Sequence, residues 1–166
     1  MSKPLHILFL CTHNSARSIL AEAMLNHMGG GRFIAHSAGS SPRENQMPNP
    51  FAITVLKEAG VAIDALTSKS WDAFGVPDAP KMDAIITVCA SAAGEVCPIW
   101  PGHPSSAHWG YDDPSNVVGD ETARKAAFEE TRRAISRRLQ ALIAEPADAL
   151  APERLKETLT RLSAIK

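Results

Sequence analysis

The first regular feature of the chain is a run of six mostly apolar positions, Leu5 to Leu10. An unbroken apolar run of that length fits a strand buried on both faces of a parallel sheet, because a half-exposed strand would alternate. From Ala16 to Met28 the period changes. Ile19, Leu20, Ala23, Met24 and His27 fall at helical spacing, and Gly29-Gly30-Gly31 closes the segment. Phe33 to Ala38 predicts a second short strand, and Asn49-Pro50 opens a helix that carries Ala52, Val55, Leu56 and Ala59 and stops before Gly60. Ala84 to Val88 predicts a third strand running into Cys89. A short extended piece near Ala107 to Trp109 leads into Asp112-Asp113-Pro114.

The C-terminal third is helical by the same criteria. Asp120 is placed to cap a long helix reaching about Ile143, with Phe128, Ile135, Leu139 and Leu142 as its core face and Arg132, Arg133, Arg137 and Arg138 as its solvated face. From Pro152 onward, Leu155, Leu159 and Leu162 mark a last amphipathic helix folded back on the domain. Strands alternating with helices over short connections predict an α/β three-layer sandwich: a doubly wound, mainly four-stranded parallel sheet with helices on both faces. Residues 1–145 are read as the catalytic domain and 146–166 as a helical extension packed on it. Ligands of such folds sit beyond the carboxyl ends of the strands, where Cys11, Cys89 and Asp113 all lie.

Composition narrows the chemistry. At 166 residues and 45% apolar content, the chain can bury a core without disulfides or a structural metal. Its net charge of −1 provides no global field for nucleic acid or an anionic membrane, so anion binding has to be local. The apolar stretch after Met1 is too short for a signal-peptide core or a membrane span, which points to the cytoplasm. Three cysteines in a reducing compartment argue against a static disulfide framework and for reactive, metal-binding or buried thiols.

The segment Cys11-Thr12-His13-Asn14-Ser15-Ala16-Arg17-Ser18 sets a cysteine and an arginine with five residues between them at a strand-to-helix turn. A loop curled around a tetrahedral anion turns its backbone N–H groups inward, the helix N-terminus adds positive potential, and Arg17 contributes a planar fork of donors. The same field favours the thiolate of Cys11, and Ser15 and Ser18 are placed to hydrogen-bond the sulfur or the loop. A merely buried cysteine ending a strand is the plainer alternative. The loop cannot by itself distinguish a phosphate ester from another tetrahedral dianion. His103 and His108, following Cys89 and Cys97, also raise a zinc reading, but the cysteine spacing is looser than zinc pairs usually show. His6 and His36 read as core or strand-edge residues.

The run C-T-H-N-S-A-R-S resembles the C-x5-R-S loop shared by low-molecular-weight protein tyrosine phosphatases and the arsenate reductases built on that fold. Further on, I-T-V-C-A-S-A-A-G-E-V-C-P-I-W-P-G followed by H-W-G-Y-D-D-P is similar to the redox segment and acid loop of those reductases, and Asn49 to Ile53 and Thr67 to Ser70 fit as well. The resemblance implies that Cys11 is the nucleophile, that Arg17 and the loop Thr12 to Ser18 bind oxyanion, that Asp113 is the general acid, and that Cys89 and Cys97 are the redox pair. It also implies arsenate as substrate, no bound metal or organic cofactor, and an external reductant, either thioredoxin or glutathione with glutaredoxin. A monomer is expected.

Thiol chemistry agrees with that assignment. A second thiol attacking the first sulfur of a thiol–arsenic adduct releases arsenite, and a third thiol can take over the resulting disulfide. Were the segment between them helical, the eight positions from Cys89 to Cys97 would span about 12 Å, beyond the ~7 Å a disulfide tolerates, so bridging them requires that segment to loop or unwind. The sequence departs from the family in three places: Ala16 stands where some thioredoxin-coupled members have cysteine, the Cys89–Cys97 gap is one residue longer than the commonest form, and Lys69 stands where some relatives have an acidic residue beside a bound alkali cation, so its ammonium is expected to replace that ion. The competing reading is a phosphotyrosine phosphatase. Against it, Pro114 is followed by Ser115-Asn116, without the aromatic residue such phosphatases commonly set against a phenyl ring. A non-enzymatic oxyanion or metal sensor is a more distant alternative.

Overall fold

The computed structural model describes residues 3–89 and 105–165. Four parallel strands, β1 (Leu5–Cys11), β2 (Phe33–Gly39), β3 (Ala84–Thr87) and β4 (Ser106–His108), form one sheet in the order β2-β1-β3-β4. The chain leaves β1 for one side of the sheet and later returns to its other side, so the carboxyl ends of β1 and β3 flank the point where the winding changes direction. The central position of β1 explains its composition. Ile7, Leu8, Phe9 and Leu10 are all fully buried, Ile7 and Phe9 toward one face and Leu8 and Leu10 toward the other.

Helices α1 (Arg17–Met28), α2 (Pro50–Glu58), α3 (Glu121–Ile143) and α4 (Pro152–Leu162) contribute to the larger core, around Ile7, Phe9, Ala84 and Ile86. Against Leu8, Leu10 and Ile85 pack Trp71 and Phe74 of a 3-10 turn, together with Met82. The result is the α/β sandwich expected from the strand–helix alternation. Burying each such Leu, Ile or Phe contributes about 1.5–3 kcal/mol, which is why the apolar periodicity was legible at all.

Local signals act where the sequence places them. Asn49 accepts a hydrogen bond from the Phe51 amide at 2.9 Å, with Pro50 in the first turn of α2, and Asp120 accepts from the Ala123 amide at 2.9 Å to start α3. The buried side of α3 is Phe128, Ile135, Leu139 and Leu142, and that of α4 includes Leu155, Leu159 and Leu162, as their spacing predicts. The arginine face of α3 requires correction. Arg133 and Arg137 are exposed, whereas Arg132 and Arg138 are half-buried. Arg132 pairs with Glu129 at 2.7 Å, and Arg138 donates to the carbonyls of Gly110, Ser163 and Ile165 while lying 4.7 Å from the Tyr111 ring centroid. Arginine covers apolar surface with its stem and satisfies buried carbonyls with its fork, uses that polarity alone does not signal.

Candidate active site

Cys11 ends β1 with 3% of its surface exposed and is a free thiol. Two donors converge on its sulfur: the Asn14 amide at 3.2 Å and the Ser18 hydroxyl at 2.8 Å. Ser18, rather than Ser15, is thus the hydroxyl on the sulfur, while the Ser15 carbonyl accepts the Asn49 amide at 2.8 Å and ties the loop to the entry of α2. The loop is also held to the end of β2, where Ser40 and Ser41 donate to the Cys11 and Thr12 carbonyls at 3.0 and 2.8 Å. Gly39 permits that approach, since a Cβ there would lie 2.6 Å from the Thr12 oxygen. His13 donates through Nδ1 to the Ser41 carbonyl at 3.0 Å. Ala16 precedes α1 without a side-chain cap, which leaves the first N–H groups of the helix beside the loop as donors for an anion.

Arg17 is 6% exposed and reaches the acid loop. One guanidinium nitrogen donates to the Tyr111 carbonyl at 3.1 Å, and the other lies 3.5 Å from the Asp113 carboxylate. Asp113 in turn accepts from the Ser115 amide and hydroxyl, at 3.0 and 2.7 Å, and so starts the turn Pro114–Asn116. Nucleophile loop, arginine and candidate acid therefore form one connected group, as the sequence predicts.

Behind the loop, Asn14 and Lys69, both marked by the sequence, join Ser37 and Glu22, which it did not mark. Asn14 is fully buried at φ 58°. Its amide nitrogen donates to Ser18 Oγ at 2.8 Å and Ser37 Oγ at 2.9 Å, while its carbonyl oxygen accepts the Lys69 amide at 2.9 Å. Ser37 bonds onward to the Glu22 carboxylate, and the Lys69 ammonium lies 3.8 Å from that carboxylate. Burial pushes Glu22 up from the usual carboxylate value and Lys69 down from the usual amine value, and each opposes the other's shift. Glu22 and Ser37 carried no sequence signal, because their contacts join α1 to β2 only once the chain is folded.

The low molecular weight phosphotyrosine protein phosphatase family matches residues 6–158. The chain belongs to that family. Among its relatives, an arsenate reductase of Bacillus subtilis is 37% identical over 134 residues, covering 81% of this chain and 91% of its own. The solved arsenate reductase of Archaeoglobus fulgidus superposes with a TM-score of 0.64 at 28% identity, covering 84% of this chain and 99% of its own. A thioredoxin-dependent arsenate reductase of Corynebacterium glutamicum superposes at 0.56 with 29% identity, covering 86% and 63%.

In this phosphatase-family chain, Cys89 follows β3, fully buried and disulfide-bonded. Cys97 and His103 lie outside the described residues. His108 accepts or donates at 2.8 Å to the Thr87 hydroxyl, and among the described residues no three His, Cys, Asp or Glu side chains group as metal ligands. His6 and His36, read as core or strand-edge residues, stack at 5.3 Å on the neighbouring strands β1 and β2, both half-buried. Among the described residues, no helix is long and apolar enough to cross a membrane.

Proposed function

We propose that this protein reduces arsenate to arsenite. Cys11 attacks arsenic held by the loop amides of residues 12–18 and by Arg17, and Asp113 protonates the departing oxygen, which leaves as water. Cys89 then attacks the Cys11 sulfur. The sulfur–arsenic bonding pair passes to arsenic, arsenite departs, and Cys11 and Cys89 are left as a disulfide. Cys97 attacks Cys89, frees Cys11, and leaves a Cys89–Cys97 disulfide for an external reductant to open. Thioredoxin, or glutathione with glutaredoxin, supplies those electrons, and the thioredoxin dependence of the Corynebacterium relative favours the first. On this reading the enzyme works in the reducing cytoplasm as a monomer in arsenic detoxification, without a bound metal or organic cofactor.

The observation that carries the reading is a free Cys11, with two donors on its sulfur, at an uncapped helix N-terminus, together with a disulfide-bonded Cys89 at the end of the adjoining strand. A protein phosphatase uses the same loop and acid and remains the second reading, favoured by the family to which the chain belongs. The two separate cleanly in variants. Cys89→Ser is expected to abolish arsenite formation while leaving hydrolysis of p-nitrophenyl phosphate within about twofold of wild type, and Cys11→Ser to abolish both. Undiminished arsenite formation by Cys89→Ser would reject the cascade. A wild type that hydrolyses the ester but forms no arsenite with either reductant system would make it a phosphatase.

A further inference from the structure

Hydrogen-bond directions behind the loop are fixed by groups that can only donate. The Lys69 backbone N–H points at the Asn14 side-chain oxygen, so the Asn14 nitrogen must face Ser18 and Ser37 and donate to both. Ser18, having accepted from Asn14, has its own hydrogen left for Cys11. Ser37, having accepted likewise, has its hydrogen left for Glu22, which must be an acceptor. The order of donors that ends on the Cys11 sulfur therefore depends on where residue 69 sits and on the charge of Glu22.

Both conditions meet in the Lys69 side chain. Its ammonium donates to the Ser37 carbonyl at 3.0 Å and the Thr67 carbonyl at 2.8 Å and faces the Glu22 carboxylate at 3.8 Å, so it joins β2, α1 and its own turn. The turn is held a second time where the Lys69 carbonyl accepts the Gly39 amide at 2.8 Å.

We infer that Lys69 is a positioning residue for the reaction: its tethered positive charge keeps Glu22 ionised and residue 69 against Asn14, and so keeps Ser18 donating to Cys11. The opposing influences of Glu22 and Lys69 on each other's titration agree with this. A cavity of about 480 Å³, bordered by Glu22, Asn26, His27 and Asp64, offers a small cation a route to Glu22. Without the ammonium, two carbonyls lose a donor and a largely buried carboxylate loses its counter-charge, which favours its neutral form. Neutral Glu22 no longer requires the Ser37 hydrogen, and Asn14 is released.

The inference rests on Cys11 being the nucleophile, and one experiment separates the two. The alkylation rate of Cys11 by iodoacetamide at fixed neutral pH is measured in the full chain, with the modified peptide identified by mass and folding checked by circular dichroism. Wild type is expected to react faster than a free cysteine peptide; equal rates would overturn the nucleophile reading itself. With a reactive wild type, Lys69→Met is expected to react about tenfold more slowly, with kcat falling in proportion and KM for the oxyanion changing less than about twofold, since Arg17 is untouched. In Lys69→Ala, ammonium chloride is expected to restore the rate in a concentration-dependent way and tetramethylammonium chloride is not. A folded Lys69→Met with the wild-type alkylation rate, or equal effects of the two salts, overturns the inference. Should Lys69→Met not fold, Lys69→Arg carries the test: retention of the charge predicts a rate within about threefold of wild type, and a tenfold loss contradicts it.

Discussion

At the scale of single residues, the site divides into groups that a contiguous stretch of sequence reveals and groups that only the fold assembles. Cys11, Ser18 and Arg17 fall within one turn of chain, and their spacing follows from the size of a tetrahedral anion, so the sequence displayed them together. Arg17 does more than its spacing implies. Buried between the Tyr111 carbonyl and Asp113, it sets the distance between anion loop and acid. Lysine keeps the charge but has no planar fork, so Arg17→Lys is expected to lower kcat/KM for arsenate by about 100-fold or more, while Cys11 remains open to alkylation. A loss below tenfold in steady-state rates would mean that charge alone suffices. Glu22 and Ser37 were beyond reach of the sequence because their chemistry comes from partners 15 residues apart on different elements. Of the two serines placed to hold the sulfur or the loop, Ser18 bonds the sulfur and Ser15 ties the loop through its carbonyl, a matter of side-chain direction that spacing does not resolve.

At the scale of elements, caps and apolar periodicity were read correctly because each acts over a few residues: Asn49 for α2, Asp120 for α3, and the leucine face of α4. The polar side of α3 was read less well, since a charged residue on a helix is equally compatible with solvent and with a neighbouring element. Glu129 illustrates the energetic consequence. Its hydrogen bond from Arg132, aided by Arg133, holds its carboxyl below the ordinary value of 4.5. A folded-state value below the unfolded one adds stability that is fully present above 4.5 and is lost as pH falls through the folded value. Glu129→Gln is therefore expected to cost about 0.5–1 kcal/mol at neutral pH, the gap to wild type closing as pH drops below 4.5, as read from urea unfolding. A gap that persists unchanged in acid would contradict the assignment.

At the scale of the whole molecule, the sheet places three chemically distinct segments at one edge: the Cys11 loop after β1, Cys89 after β3, and the acid loop after β4. The C-terminal helix supports that arrangement from the far side. The Trp109 indole donates to the Leu159 carbonyl at 2.9 Å, and Arg138 joins Gly110 to Ser163 and Ile165, so α4 braces the strand end that leads to Asp113. Leu159→Ala empties a fully buried site and is expected to cost about 2–5 kcal/mol in denaturant unfolding, with a loss under 1 kcal/mol showing that α4 is dispensable for the core. The central claim is thiol-based reduction, and counting thiols tests it most directly. Fully reduced protein is given one equivalent of arsenate without external reductant, free thiols are titrated, and the disulfide is located by peptide mass. The account predicts the loss of two thiols, mapped to Cys89 and Cys97, with one equivalent of arsenite formed. Three thiols persisting, with no arsenite formed even when thioredoxin or glutathione and glutaredoxin are supplied, would contradict it.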